Sequence, residues 1–324
     1  MSQPRIYSRI VGTGHYLPER IVTNKDLEAF CDTTDEWIRE RTGIEQRHFA
    51  AEGEGCLDLA YQASIRAIDD AGVTASDIDL VIVASATSDY RSPSVAAMLQ
   101  DKLGCNPVMS FDLQAACTGF LYGLHTVDQF VRAGTSKCVL LVGAERLSGV
   151  MDFEDRSTAV LFGDGAGAVI IQPSDETGLL ASNMYSDGSK AEILGLMSGV
   201  PVYEPADQAN KVYMKGQEVF KAAVKGMGDS IVKTMDDAGL SLKDVDWLVP
   251  HQANMRIIQS VGKRLKIDED KVVINVQQTA NTSASTVPIA LDRAIKDGRI
   301  KRGDTIIATA FGAGLVWGSA ALTL

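Results

Sequence analysis

Apolar runs and amphipathic segments alternate along the whole chain. The runs at 80–86 and 138–143 are almost continuously hydrophobic, a pattern typical of strands that are buried on both faces. In segments such as 57–71 and 119–131, apolar residues recur every three or four positions, which predicts amphipathic helices. Because strand and helix patterns alternate along the chain, we expect an α/β fold.

The chain also repeats part of its own sequence. Asp236-Asp237-Ala238-Gly239 lies 167 residues after Asp69-Asp70-Ala71-Gly72. Two further pairs of segments share that offset, 77–81 with 244–248 and 137–141 with 304–308. A repeat of about half the chain length indicates two copies of one α/β unit. We therefore predict two halves, residues 1–172 and residues 173–324.

The stretch 112–120 connects a predicted short strand at 107–111 to a predicted helix that begins near Gly119. Cys117 therefore lies at a strand-to-helix junction. The first N–H groups of a helix have no internal partner and the dipole is positive there, so a thiolate is favoured. On these residues alone two roles stay open: a nucleophile with a lowered pKa, or a small buried hydrophobic side chain.

The second half places further polar side chains at strand ends. One buried strand is followed by His251 and a helix, and the run 272–276 predicts a strand that leads into small polar residues around Asn281. Ligands of α/β proteins gather outside the carboxyl ends of strands, so we expect Cys117, His251 and Asn281 to share one site. The last strand brings 311–314 to the same edge, where backbone N–H groups suit an oxyanion hole.

The glycine-rich segment 162–168, Phe-Gly-Asp-Gly-Ala-Gly-Ala, matches in part the phosphate-binding loop of dinucleotide-binding proteins. In those proteins a helix follows the loop, whereas here the apolar run 169–171 predicts a strand. We therefore predict a structural turn at this segment. The sequence contains no Walker loop.

Trp37 and Arg41 are four residues apart in a predicted helix and so share one face. An aromatic ring beside a guanidinium suits a nucleotide with its phosphates. A packed tryptophan beside a solvated arginine fits the same pattern, and the sequence alone leaves both interpretations open.

Composition limits the classes of function. Of the 324 residues, 45% are hydrophobic and 23% are charged, as in soluble globular proteins. The formal net charge of −11 argues against general nucleic-acid binding but does not exclude a local basic patch. The amino terminus lacks an apolar signal region, and no apolar run approaches the ~20 residues of a membrane span. Five cysteines without a CxxC pair predict a reducing cytoplasm and no zinc site.

Five motifs together resemble the β-ketoacyl-acyl carrier protein synthase III family of the thiolase superfamily. They are AACTGF around Cys117, GDGAGA from Gly163, VPHQAN around His251, ANTSAS around Asn281, and FGAG at 311–314. The likeness covers essentially the whole chain. It implies a thiolase-like fold in which two duplicated α/β halves pack as α-β-α-β-α layers. Ala280 and Ala313 stand where the family commonly has glycine.

The resemblance implies a homodimeric acyltransferase of the cytoplasm that initiates fatty acid biosynthesis. Cys117 would attack the thioester of an acyl-coenzyme A (acyl-CoA) primer, and the acyl-enzyme would condense with malonyl-acyl carrier protein to give 3-oxoacyl-acyl carrier protein. His251 and Asn281 would hydrogen-bond the enolate formed on decarboxylation. The amides of Cys117 and Ala313 would hold the oxyanion. No metal or redox cofactor is implied.

The resemblance also assigns residues to the substrates. The adenine and phosphates of CoA would contact Trp37, Arg156 and Arg41. The pantetheine channel would be lined by Gln217, Phe220, Ala253 and Asn254. Ser92 would border the acyl pocket, which without an aromatic side chain there would admit primers longer than acetyl. Arg256, on one helix face with Lys263 and Arg264, would dock the acidic carrier protein.

Two other functions fit the same residues. A relative of secondary metabolism with the same three side chains would transfer or condense acyl groups with a different acceptor. A catalytically idle scaffold would only bind acylated carrier protein, although the intact Cys117, His251 and Asn281 argue against it.

Overall fold

The computed structural model describes residues 6–196 and 211–324. The strands are β1 (Tyr7–Tyr16), β2 (Arg20–Thr23), β3 (Gln46–Phe49), β4 (Leu80–Ala84), β5 (Met109–Leu113), β6 (Val139–Glu145), β7 (Gly165–Ser174), β8 (Leu179–Ser186), β9 (Leu194–Leu196), β10 (Val212–Met214), β11 (Trp247–Pro250), β12 (Thr305–Gly312) and β13 (Val316–Thr323). The helices are α1 (Asn24–Leu27), α2 (Asp35–Thr42), α3 (Cys56–Ala71), α4 (Val95–Leu103), α5 (Gly119–Arg132), α6 (Arg156–Ala159), α7 (Gly216–Ala238), α8 (Met255–Leu265), α9 (Val276–Thr279) and α10 (Thr286–Lys296).

Two mixed sheets carry the fold, and the second repeats the topology of the first without a counterpart of β5. The first has the order β1-β7-β6-β4-β5 and the second the order β8-β13-β12-β11. In the first sheet β4, β5 and β6 are parallel and β7 is antiparallel to both its neighbours. In the second, β11 and β12 are parallel and β13 is antiparallel to both its neighbours. The duplication predicted from the sequence offset is therefore confirmed.

The offset also holds for individual helix ends. The helices α3 and α7 both stop at a glycine in the left-handed region, Gly72 with φ 65° and Gly239 with φ 68°. The first sheet ends with β7 at Ser174 and the second begins with β8 at Leu179. The division into residues 1–172 and 173–324 stays a prediction.

One predicted strand is wrong. Where the repeat calls for a counterpart of β5, the segment 272–276 makes only an isolated bridge between Val272 and Leu248, and α9 begins at Val276. The buried Gln252 side chain is the reason. Its Oε1 accepts the N–H groups of Asn275 and Val276, and its Nε2 donates to the Val273 carbonyl. A side-chain amide thus serves backbone groups that a neighbouring strand would otherwise pair.

The two sheets are layers in an α-β-α-β-α stack. Helices α5 and α10 lie between the sheets, α3 and α4 cover the first sheet, and α7 and α8 cover the second. Along β4, Leu80 and Ile82 pack toward the central helices, whereas Val81 and Val83 pack toward α3 and α4. Both faces of this strand are therefore buried, as its unbroken apolar sequence predicts. In the described part of the chain, no helix is both long and apolar enough to cross a bilayer.

The glycine-rich motif begins a strand, so the turn predicted over 162–168 is wrong for most of its length. Gly165 is the first residue of β7. A Cβ on Gly167 would lie 2.8 Å from the Ile289 backbone nitrogen and 2.8 Å from the Pro288 Cβ. The missing side chain lets the central helix α10 lie directly against β7.

We expect Gly167→Ala to lower the free energy of unfolding by ~1–3 kcal/mol, since the new methyl group meets backbone and ring atoms that cannot move independently. Urea unfolding followed by circular dichroism measures this difference. Gly188→Ala is the matched control, because a Cβ there meets nothing within 4 Å. Equal stability of the two variants would show that α10 does not need the close approach.

Candidate active site

One cavity of about 530 Å³ receives side chains from both halves of the molecule. Cys117 reaches it from the first half, and His251, Asn281 and Ala313 reach it from the second. Cys117, His251 and Ala313 lie just beyond the carboxyl ends of β5, β11 and β12, whereas Asn281 follows the short helix α9. The sequence-based expectation that these residues gather in one place agrees with this geometry.

Cys117 lies in a short 3₁₀ turn, Ala116–Thr118, between β5 and α5. The second half holds this turn closely. A Cβ on Gly312 at the end of β12 would lie 2.7 Å from the Cys117 nitrogen. The Thr118 hydroxyl donates to the Val316 carbonyl at 3.2 Å. The position of the sulfur therefore depends on the packing of the two halves.

The expected low pKa of Cys117 is wrong for the unliganded site. Burial raises the pKa of its thiol to about 12, and the hydrogen bond with the Ser283 hydroxyl offsets only part of that effect. The nearby Glu145 carboxyl raises the pKa of the thiol further. Desolvation of the thiolate thus outweighs the favourable helix end, and the resting group is a neutral thiol.

His251 follows β11 directly, and its backbone N–H donates to the Thr309 carbonyl at 2.7 Å. Burial lowers the pKa of its imidazole to about 3, so the ring is neutral at physiological pH. Its Nδ1 lies 2.6 Å from the Thr286 hydroxyl. That hydroxyl also lies 3.0 Å from the Ser283 carbonyl, which already accepts the Thr286 backbone N–H. When the hydroxyl donates to Nδ1, the ring proton is on Nε2.

Asn281 is fixed by bonds on both sides. Its N–H donates to the Leu161 carbonyl, and its own carbonyl accepts the Gly163 N–H. The side-chain Oδ1 accepts the Ser283 N–H at 2.8 Å, which leaves the Nδ2 amide group as a donor for the cavity. The preceding residue, Ala280, has φ 55° and ψ −162°, a conformation that L residues rarely adopt.

Ala313 lies in the cavity wall directly after Gly312. Because Gly312 packs against the Cys117 backbone, the amides of Cys117 and Ala313 are near neighbours. Ala280 has a positive φ, whereas Ala313 does not. Alanine keeps its N–H in either case.

The mouth of the cavity is aromatic and basic. The guanidinium carbons of Arg156 and Arg41 lie 4.6 and 5.7 Å from the Trp37 ring centre, and Arg256 lies 5.8 Å from that of Phe220. The other predicted substrate residues that line the cavity are Gln217, Ala253 and Asn254. The Asn254 amide donates to the Arg41 carbonyl at 3.1 Å, and this bond holds the start of α8 against α2.

Three predicted residues lie away from the cavity wall. Ser92 is exposed in the segment before α4 and does not border the cavity of its own chain, because that segment projects toward solvent. Lys263 and Arg264 lie on the exposed face of α8, opposite the buried Ile258 and Val261. Arg264 forms an ion pair with Asp229 at 2.5 Å.

The sequence analysis missed three residues next to the reacting groups: Glu145, Ser283 and Thr286. A charged residue at the end of the otherwise apolar β6 was the available signal for Glu145. Ser283 and Thr286 lie in or beside the ANTSAS motif, but their partners depend on contacts across the chain. Within residues 6–196 and 211–324, no group of three or more His, Cys, Asp or Glu side chains is arranged to hold a metal ion.

Comparison with known proteins assigns the chain to a family. Residues 111–188 match the family model of 3-oxoacyl-acyl carrier protein (ACP) synthase III, and residues 235–324 match the model of its C-terminal part. A beta-ketoacyl-acyl carrier protein synthase III from Xanthomonas campestris pv. campestris is 49% identical over 320 residues, which cover 98% of each chain.

Solved structures agree along the same length. The 3-oxoacyl-acyl carrier protein synthase III from Aquifex aeolicus VF5 is 44% identical with a TM-score of 0.93, over 98% of this chain and 100% of that one. The priming β-ketosynthase of the R1128 polyketide pathway is 37% identical with a TM-score of 0.94, over 100% of this chain and 98% of that one. The chain therefore belongs to the 3-oxoacyl-acyl carrier protein synthase III family.

Proposed function

We propose that this protein condenses an acyl-CoA primer with malonyl-acyl carrier protein and so starts fatty acid synthesis. The observation that carries the proposal is the single cavity in which a thiol, an imidazole, a side-chain amide and backbone N–H groups meet, at Cys117, His251, Asn281 and Ala313. A thiol beside oxyanion donors suits acyl transfer. An uncharged imidazole beside an amide donor suits stabilisation of an enolate.

Acylation comes first. The Cys117 sulfur attacks the thioester carbonyl of acyl-CoA, and the amides of Cys117 and Ala313 donate to the oxygen as it becomes negative. Loss of one such donor costs about 3–4 kcal/mol of transition-state stabilisation in comparable sites. Collapse of the tetrahedral intermediate releases CoA and leaves an acyl thioester on Cys117.

Condensation follows at the same sulfur. The malonyl group loses carbon dioxide, and the electron pair passes to its thioester oxygen, where His251 Nε2–H and Asn281 Nδ2–H donate. The carbanion attacks the acyl carbonyl on Cys117, and 3-oxoacyl-acyl carrier protein leaves. The neutral His251 is suited to this task, because it donates without carrying a charge into the buried site.

The aromatic and basic mouth supports CoA as the donor. The Arg156 guanidinium carbon lies 4.6 Å from the Trp37 ring centre, so Arg156 would move away from the indole to let adenine stack between the two, with Arg41 near the phosphates. The pantetheine arm would pass Gln217, Phe220, Ala253 and Asn254 on its way to Cys117. These side chains line the same cavity as Cys117.

We also propose a cytoplasmic homodimer. The strand β5 pairs with β4 alone among the strands of the described residues, and Met109 at its start is 49% exposed. A second copy that paired along β5 would cover this edge. CoA and carrier-protein substrates suit the reducing cytoplasm that the cysteine pattern predicts.

A second candidate is a priming synthase of secondary metabolism, and the 37% identity and TM-score of 0.94 to the R1128 priming β-ketosynthase favour it. The same side chains would then act on a different carrier protein. Steady-state rates with malonyl groups on fatty-acid and polyketide carrier proteins would separate the two candidates.

We expect one acyl adduct on Cys117 after incubation with acyl-CoA, because the sulfur faces both the cavity and the oxyanion donors. Intact-mass spectrometry with peptide mapping measures it. Cys117→Ser should lose the adduct. An adduct that forms at full yield in Cys117→Ser would place the nucleophile elsewhere.

We expect alanine at His251 or Asn281 to reduce malonyl decarboxylation by about 10²–10³-fold, since each change removes one enolate donor. Acyl transfer from acyl-CoA to Cys117 should survive in both variants. Release of carbon dioxide and labelling of Cys117 are measured separately. If His251→Ala lost acylation and kept decarboxylation, the two roles would be reversed.

We expect Arg256→Glu to raise the KM for malonyl-acyl carrier protein several-fold, because a basic mouth attracts an acidic partner, and to leave self-acylation by acyl-CoA nearly intact. The effect should fade with added salt. Lys137→Glu is the matched control, as Lys137 is exposed before the opposite end of β6. A change in both half-reactions, or in neither, would contradict carrier docking at α8.

A further inference from the structure

A second cavity, of about 700 Å³, shares no lining residue with the active-site cavity. Its wall is formed by β2, by residues in and after α1, by the end of β3 and by the segment that follows β6. The two cavities come closest in sequence at 146–148, where Leu147 lines the active site and its two neighbours line the second cavity. A cavity of this volume has the usual size of a small-molecule site.

Phenylalanine rings form one wall of the second cavity. The Phe153 ring centre lies 5.7 Å from that of Phe30 and 5.8 Å from that of Phe49. Ile21 and Phe30, which line the same cavity, are large hydrophobic side chains and yet are 51% and 54% exposed. An apolar ligand that covered them would remove this surface from water, which is favourable. Because the rings meet at 46° and 71°, they form no parallel slot for a flat ring, whereas a flexible alkyl chain follows such a wall.

Arg146 brings a positive charge into the same wall. Its Nε atom is buried and has no hydrogen-bond partner in the described part of the chain. Burial raises the pKa of the nearby Asp164 carboxyl, and the charge of Arg146 is among the effects that oppose this shift. The hydrogen bonds of that carboxyl, however, go to Ser148 and Ala50. Since a buried donor without an acceptor is costly, Arg146 has a position that a ligand oxygen would fill.

The other charged side chains of the wall are exposed. Arg20 adds a second guanidinium, whereas Asp26 and Glu52 add carboxylates. The Asp26 carboxylate already accepts the N–H and the hydroxyl of Thr23. Water and salt screen exposed charges more strongly than partly buried ones. The partly buried Arg146 therefore has the largest effect on which charge the cavity accepts, and it favours an anion.

We propose that this cavity binds an alkyl carboxylate, with the carboxylate on the Arg146 guanidinium and the chain against Phe30, Phe49 and Phe153. The guanidinium donates to the carboxylate oxygens, and such charge-assisted hydrogen bonds are stronger than bonds between neutral groups. Arg20 adds a weaker attraction, because its side chain is exposed. No step of the condensing reaction is needed for this binding.

Calorimetric titration with octanoate and with octan-1-ol tests the proposal, because the two probes have the same chain and differ in charge. The unmodified protein should bind octanoate about tenfold more tightly than octan-1-ol, as expected for a hydrogen bond to a charged group. Arg146→Gln should remove this preference and leave the affinity for octan-1-ol nearly unchanged. Equal affinities in the unmodified protein, or no binding of octanoate, would overturn the proposal.

Phe30→Ser tests the apolar wall separately from the charge. It should weaken the binding of both probes several-fold and by a similar factor, since it removes contact with the chain alone. If neither affinity changed, the chain would lie elsewhere and the proposed site would be wrong.

Arg156→Gln is the matched control, because it removes a guanidinium from the mouth of the active-site cavity. It should leave the preference for octanoate unchanged. If Arg156→Gln removed the preference and Arg146→Gln kept it, octanoate would bind at the active site, contrary to the proposal.

Arg20→Gln decides the matter if Arg146→Gln does not fold, since the Arg20 side chain is exposed. It should reduce the preference for octanoate by about two- to fivefold, and an unchanged preference would count against the site. The titrations use neither acyl-CoA nor carrier protein, so their failure is distinguishable from failure of the condensing function.

Discussion

The active site depends on the packing of the segment 281–285 against the first half of the molecule. Asn281 forms two backbone hydrogen bonds with the segment 161–163. Near the other end of the segment 281–285, a Cβ on Gly143 would lie 2.6 Å from the Ala284 carbonyl oxygen. This contact brings the second-half donors beside the first-half sulfur. Neither half alone contains a complete site, so the chemistry is a property of their interface.

Desolvation shifts the pKa values of the two ionisable groups at that interface, Cys117 and His251, in opposite directions. It raises the pKa of Cys117 and lowers that of His251, so both are uncharged at rest. During the reaction, negative charge then develops mainly beside preorganised hydrogen-bond donors. These are the oxyanion amides and the Asn281 and His251 side chains. Such a site is selective for reactions that create an anion at those two places.

The sequence predicts the architecture better than it predicts the electrostatics. The 167-residue offset and the apolar strands predict the duplicated architecture. The ends of β5 and β11 bring Cys117 and His251 together because parallel strands of one sheet type end on the same side, whereas Asn281 is placed by the short helix α9. The segment 272–276 was mispredicted because one glutamine side chain, Gln252, replaces a strand partner. The pKa of Cys117 and the contacts of Glu145 depend on burial and on groups distant in sequence. No periodicity reveals such effects before the chain is folded.

The backbone at Ala280 has a consequence for mutational tolerance. At φ 55° and ψ −162° an L residue costs of order 1–3 kcal/mol, and alanine is the smallest side chain that incurs it. Single base changes in an alanine codon lead to Gly, Val, Ser, Thr, Pro, Asp or Glu. Glycine alone among these relieves the backbone, whereas the others add bulk, charge or a fixed negative φ at a fully buried position. At position 280, next to Asn281, single base changes are therefore tolerated only between alanine and glycine.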